Sequence, residues 1–169
     1  KIGGKAAGLV LAARILHEVA DESLQESIVF PTSYFLGSDL IYIFTAMNGL
    51  MHWNNQKYKP EEKIYSEYPL LCEQFSAGRF PPEVVQRLRE ILGEMGRKPL
   101  IVRSSSQLED SYGTSFAGKY QSFFCPNQGT PGENLQALTN AIARVYASTL
   151  NPDALLYRRT KGLQDYDER

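Results

Sequence analysis

The sequence predicts a single α+β domain in which packed helices cover a mixed sheet, and three observations predict it. Apolar residues recur at helical spacing over several stretches. Short β-branched and aromatic runs stand between those stretches. Glycine and proline punctuate the boundaries. The 169 residues make one domain of ordinary size, residues 1–169, and 43% hydrophobic with 22% charged residues is enough apolar material for a core.

The helices follow from spacing and caps. Gly3-Gly4 is a loop signal, and Ala6, Leu9, Ala13, Leu16 and Ala20 then share one helical face from Lys5 to about Val19. Ser38-Asp39 reads as the start of a helix carrying Leu40, Ile41, Phe44 and Met47, with Gly49 closing it. Residues 50–68 read as an irregular surface segment with a short helix after Pro60, and Leu70–Ser76 as a further turn or two. Pro81-Pro82 opens a helix with the stripe Val84, Val85, Leu88, Ile91, Leu92 and Met95, ended by Gly96. Leu135, Leu138, Ile142, Val145, Tyr146 and Thr149 mark a long amphipathic helix, and Asn151-Pro152 starts another that Gly162 ends.

Three strands are predicted. Ser27–Phe30 is short, apolar and stopped by Pro31. Leu100-Ile101-Val102 is compact, and Tyr120–Cys125 resumes β-type residues after a polar loop, Arg103–Gly118, so the last two read as a long-looped hairpin.

Composition excludes several function classes. A formal net charge of −1 gives no field for nucleic acid or an anionic membrane. No apolar run reaches the roughly 20 residues of a membrane helix. Cys72 and Cys125 are far apart and form no C-x-x-C pair, which predicts reduced thiols in a cytoplasmic protein. Lys1 stands first in place of methionine and a glycine motif follows at once, which predicts a piece of a longer polypeptide. His17 and His52 sit in no triad context, there is no G-x-S-x-G elbow around Ser104–Ser106, and the acidic residues are scattered without the convergence a metal needs.

Two segments carry possible chemistry. In Gly3-Gly4-Lys5-Ala6-Ala7-Gly8-Leu9, small residues at a helix start let the backbone approach a ligand, and the free N–H groups favour an anion that Lys5 can reach. The same residues also fit a plain glycine turn before a helix with a solvated lysine. In the second segment Arg103 follows a strand directly, so its guanidinium is held at the sheet edge, where it can grip phosphate oxygens with parallel bonds. Ser104, Ser105, Ser106 and the glycines beyond supply donors in a loop. That loop equally fits a solvated hairpin turn with Arg103 paired to Glu109 or Asp110.

Taken together, Gly3-Gly4-Lys5 with Gly8-Leu9, then Phe30–Leu36, Val102–Ser106 and Ser115–Gly118, resemble in order and spacing the N-terminal domain of the pyruvate phosphate dikinase and phosphoenolpyruvate synthase family. The resemblance covers nearly the whole chain, and Tyr157-Arg158-Arg159 followed by Gly162 resembles the helix end before that domain's second half. It implies the first lobe of an ATP-grasp fold, in which two lobes clamp ATP. The family passes a pyrophosphoryl group to a histidine on a swivelling domain, and from there phosphate goes to pyruvate or a similar acceptor. By motif match Lys5 and Arg103 would hold the ATP phosphates, with Arg103 catalytic, and Gly118 and Ser122 would line them. Mg2+ would be held by carboxylates of the second lobe, past Arg169. Ser106, Lys119 and Ser122 depart from the family's usual alanine, glutamine and threonine. Two other uses share this front end: a non-catalytic nucleotide-sensing or interaction module, and a kinase of another acceptor such as an antibiotic or a glucan.

Overall fold

The computed structural model describes residues 3–106 and 118–165. Its elements run α1 (Gly4–Val19), α2 (Glu22–Ser27), α3 (Asp39–Met47), a 3₁₀ segment (Met51–Tyr58), α4 (Glu61–Ser76), α5 (Pro82–Met95), β1 (Leu100–Val102), β2 (Phe123–Cys125), α6 (Pro131–Ser148) and α7 (Pro152–Thr160). Helices combined with a small antiparallel sheet are compatible with the expected α+β class.

The sheet departs from expectation. Among the described residues it has two strands, paired antiparallel with Leu100 opposite Cys125, Ile101 opposite Phe124 and Val102 opposite Phe123. It is therefore not the mixed sheet expected. The expected strand Ser27–Phe30 does not form. Asp21 accepts the Leu24 N–H at 2.9 Å and starts α2, which takes Ser27 as its last residue. Too little chain then remains before Pro31, and Ile28 to Phe30 run exposed. A β-branched run makes a strand only where an edge can receive its N–H groups.

Residues 61–76 also differ. They form one helix with Pro69 inside it, where a short helix and a separate turn or two were expected. The missing proline N–H and ring clash cost about 3 kcal/mol. Burying Ile64, Leu71 and Phe75 along the other face contributes roughly 1.5–3 kcal/mol each, which outweighs that cost. The segment before it, read as irregular surface, buries Trp53, whose Nε1–H donates to Gln74 Oε1 of α4 at 2.8 Å.

Helix α6 is the centre of the molecule and packs on α4, α5 and both strands. The sheet turns Leu100, Val102, Phe123 and Cys125 toward this core and leaves Ile101 and Phe124 exposed on its other face. A capping box starts α6: Glu133 N–H donates to Thr130 Oγ1, and Thr130 N–H donates back to Glu133 Oε2. Asn127 holds a left-handed backbone (φ 56°), and its Nδ2 donates to the Gly96 and Lys98 carbonyls, which pins the turn after β2 to the turn before β1. Both thiols are unbridged, and burial pushes the Cys125 thiol pKa up, so that thiol stays protonated and inert.

Helices α1 and α2 lie outside this core. Of their residues only Ala6 is buried. The stripe Ala6, Leu9, Ala13, Leu16 and Ala20 is nonetheless the less exposed face of α1 and its end, as the spacing predicts. Val10, Leu11, Ile15 and Val19 stand on the outside. Among the described residues no helix is long and apolar enough to cross a membrane.

Candidate functional site

The geometry of the site begins with a cap that sequence spacing does not reveal. The N-cap residue of α1 is Gly3, which has no side chain to satisfy the first N–H groups of the helix. Ser105 supplies the missing acceptor from 99 residues away: its Oγ takes the Ala6 N–H at 2.9 Å. Gly3 is what allows this approach. A Cβ on Gly3 would fall 1.2 Å from the Ser105 carbonyl oxygen. The glycine therefore serves close contact with the Ser105 peptide, where the sequence suggested close contact with a ligand. One N–H group of the helix start is likewise taken by the protein itself.

This contact brings the two candidate segments together. Lys5 lies in the first turn of α1 and is half-buried. Arg103 is the residue after β1, two positions from Ser105, and two residues span at most about 7 Å. Arg103 is exposed and has no hydrogen bond or ion pair with any described residue. Its expected alternative partners, Glu109 and Asp110, lie outside the described residues, as do Ser115, Phe116 and Ala117.

The opposite strand contributes the other two candidates. Val102 pairs with Phe123, so Arg103 and Ser122 are the next residues outward on the two strands. Ser122 is exposed there. Gly118 begins the described segment with φ 74°, a conformation that glycine adopts without steric cost. From Gly118 to Ser122 the backbone is fastened to the helices beneath. Asn151 Nδ2 donates to the Lys119 carbonyl at 2.6 Å, Gln121 N–H donates to Ser148 Oγ at 3.2 Å, and Tyr120 is buried against Ala154. The segments that carry Lys5, Arg103 and Ser122 thus meet at one corner through the Ala6–Ser105 bond and the β1–β2 pairing, and Gly118 stands four residues before Ser122. Such a donor set suits an anion.

Asn151 is a residue that sequence reading assigned only to starting α7. Its Oδ1 also accepts the Ala154 N–H at 2.8 Å, so one side chain caps α7 and holds Lys119. Replacing it with alanine is expected to cost about 1–2 kcal/mol, a fall in Tm of roughly 2–8 °C. Asn151→Asp keeps the capping oxygen and removes the amide donor. Circular dichroism should then report an intact helix, while hydrogen exchange at residues 119–122 accelerates. Equal protection there in both variants and in the unaltered protein would refute the pinning role.

Two hollows lie away from this corner. A cavity of about 80 Å³ is lined by Thr45, Asn54, Tyr146 and Thr149, among others, and an apolar groove of about 190 Å³ runs along α5 past Leu36, Leu40 and Leu88. Neither approaches the roughly 300–1,000 Å³ of a small-molecule pocket. His17 is exposed near the far end of α1, and His52 is exposed with its ring tilted against Trp53, centres 4.9 Å apart, so neither belongs to the corner. Among the described residues no three of histidine, cysteine, aspartate and glutamate gather in a way that could hold a metal ion.

No curated protein and no solved structure matches the chain. The family model described as the pyruvate phosphate dikinase AMP/ATP-binding domain matches residues 1–169. That match spans both segments that meet at the α1 cap and the hairpin end between which the candidate residues lie. The chain belongs to the pyruvate phosphate dikinase AMP/ATP-binding domain family, and ATP is its nucleotide.

Proposed function

We propose that this chain is the first ATP-grasp lobe of a cytoplasmic dikinase-type phosphotransferase. The whole protein would pass phosphate from ATP, through a histidine on a swivelling domain, to pyruvate or a similar acceptor. Residues 1–169 would act as one unit in that protein, and alone would bind ATP weakly without turning it over. The observation that carries the reading is the Ser105–Ala6 bond, which ties the lysine-bearing helix start to the arginine-bearing strand end.

In this reading the ammonium of Lys5 and the guanidinium of Arg103 hold the phosphates, the Gly118 N–H and Ser122 hydroxyl line them, and Arg103 stabilises charge as it develops during transfer. Among the described residues no carboxylate pairs with the exposed Arg103, which suits its guanidinium to a phosphate. The described residues offer no carboxylate cluster for Mg2+, so no step of the transfer is assigned to a metal held by them. The large apolar side chains exposed along residues 10–36, with Val29 as much as 88% exposed, support a lobe that needs a second wall.

Calorimetric titration of the protein with ATP tests the assignment. Arg103→Ala is expected to weaken binding by roughly tenfold to a hundredfold, the value of a charge-assisted hydrogen-bonded contact. Equal affinity in both proteins would remove Arg103 from the site.

A further inference from the structure

We propose that Lys119 and Lys161, brought together on the ring of Tyr157, form a second cationic anchor that takes the phosphate chain of the nucleotide at this corner. The inference rests on the nucleotide reading above and adds a part of the molecule, the end of α7, that the motif match does not assign to the ligand.

Lys119 Nζ lies 5.1 Å from the Tyr157 ring centre and Lys161 Nζ lies 5.7 Å from it. The two ammonium groups cannot be further apart than those distances together, which is near the distance over which salt screens charge. Neither lysine pairs with a carboxylate among the described residues. Nearby, Arg158 donates to the Thr149 carbonyl and Arg159 to the Lys57 and Lys59 carbonyls. Asp153 sits in the first turn of α7, at the other end of that helix, and Asp165 accepts from the Tyr58 hydroxyl.

Like charges repel, so their convergence requires compensation. Lys161 is the C-cap residue of α7, where the negative end of the helix dipole favours a cation. That accounts for one lysine. The aromatic face contributes to both, by a modest amount at a surface. Lys119 gains nothing from the helix end, and its backbone is held in place by Asn151 and by burial of the next residue, Tyr120. Lys119 is also three residues from Ser122, a span of at most about 11 Å, so its backbone lies close to the strand end that carries Ser122. Two neighbouring cations with no carboxylate partner among the described residues, close to a candidate phosphate site, are suited to a polyanion and offer little to a ligand with a single phosphate.

Calorimetry at low salt with inorganic tripolyphosphate, ATP and AMP as probes tests this on the unaltered protein, Lys119→Gln/Lys161→Gln and Lys119→Arg/Lys161→Arg. The glutamine pair is expected to weaken tripolyphosphate and ATP by about tenfold, to leave AMP within about twofold, and to keep its circular dichroism. The arginine pair should recover the lost affinity, because it restores charge. Binding of ATP and tripolyphosphate unchanged in the glutamine pair, while Arg103→Ala has lost it, overturns the second anchor and leaves the nucleotide reading standing. An equal loss for AMP rejects the assignment to the phosphate chain. Failure of the unaltered protein to bind either ATP or tripolyphosphate rejects both readings together.

Discussion

Gly3→Ala is expected to undock α1 from the Arg103 segment and to lower ATP affinity by at least about tenfold, with little change in Tm. The cause is steric. The added methyl carbon would lie 1.2 Å from the Ser105 carbonyl oxygen, 2.2 Å from its carbon and 2.9 Å from its Oγ. No rotamer relieves a Cβ clash, so either the Ser105 peptide or the start of α1 must move, and the Ala6–Ser105 bond is lost in both cases. Global stability is spared because α1 buries only Ala6. Hydrogen exchange is the direct readout: amides of α1 should lose protection while those of α6 keep theirs. Gly8→Ala is the internal control. A Cβ there meets nothing within 4 Å, and alanine inside a helix is favoured over glycine by roughly 0.5–1 kcal/mol. The two substitutions, at the N-cap and five residues on, should therefore act in opposite directions on α1. Unchanged α1 protection in Gly3→Ala would show that the approach to Ser105 is not as close as described.

The second large effect concerns the core. Phe44→Ala is expected to cost about 3–5 kcal/mol, a substantial part of the 5–15 kcal/mol that holds a typical domain folded, and to lower Tm by about 10 °C. Phe44 is fully buried, and its ring centre lies 4.6 Å from Phe80, 5.7 Å from Tyr146 and 5.9 Å from Phe75. It thus joins α3, α4, α6 and the residues that lead into α5. The same ring leaves no room at Gly78, where a Cβ would come 2.4 Å from Phe44 Cζ. Gly78→Ala should accordingly be strongly destabilising alone and much less so in the Phe44→Ala background. A double-mutant cycle by urea denaturation should give a coupling above about 1 kcal/mol. Additive effects would mean that the ring does not rest on Gly78.

Much of the helical frame was legible because its signals are local. Pro81-Pro82 and Gly96 bracket α5, and Asn151-Pro152 with Gly162 bracket α7, since missing N–H groups and a left-handed terminal glycine act through the nearest turn of chain. Period alone also gave the inner faces of α1, α5 and α6. The errors came where one signal needed a distant partner. Ile28-Val29-Phe30 carries strand residues without an edge to join. Pro69 marks a break that burial of Ile64, Leu71 and Phe75 overrides. Trp53 lies in a polar stretch that gives no hint of the Gln74 acceptor on α4.

For the candidate site the division is similar. By itself the sequence named the residues proposed to meet an anion, Lys5, Arg103, Gly118 and Ser122, because charge and donor chemistry belong to the residue and travel with the motif. Only the tertiary structure decided that Gly3 fits against Ser105, that Asn151 holds Lys119, and that Lys119 shares an aromatic ring with Lys161. Each of these joins positions tens of residues apart, and such a contact depends on how α6 and α7 pack beneath the strands. The hydrophobic core sets that packing, and no local pattern in the chain encodes it.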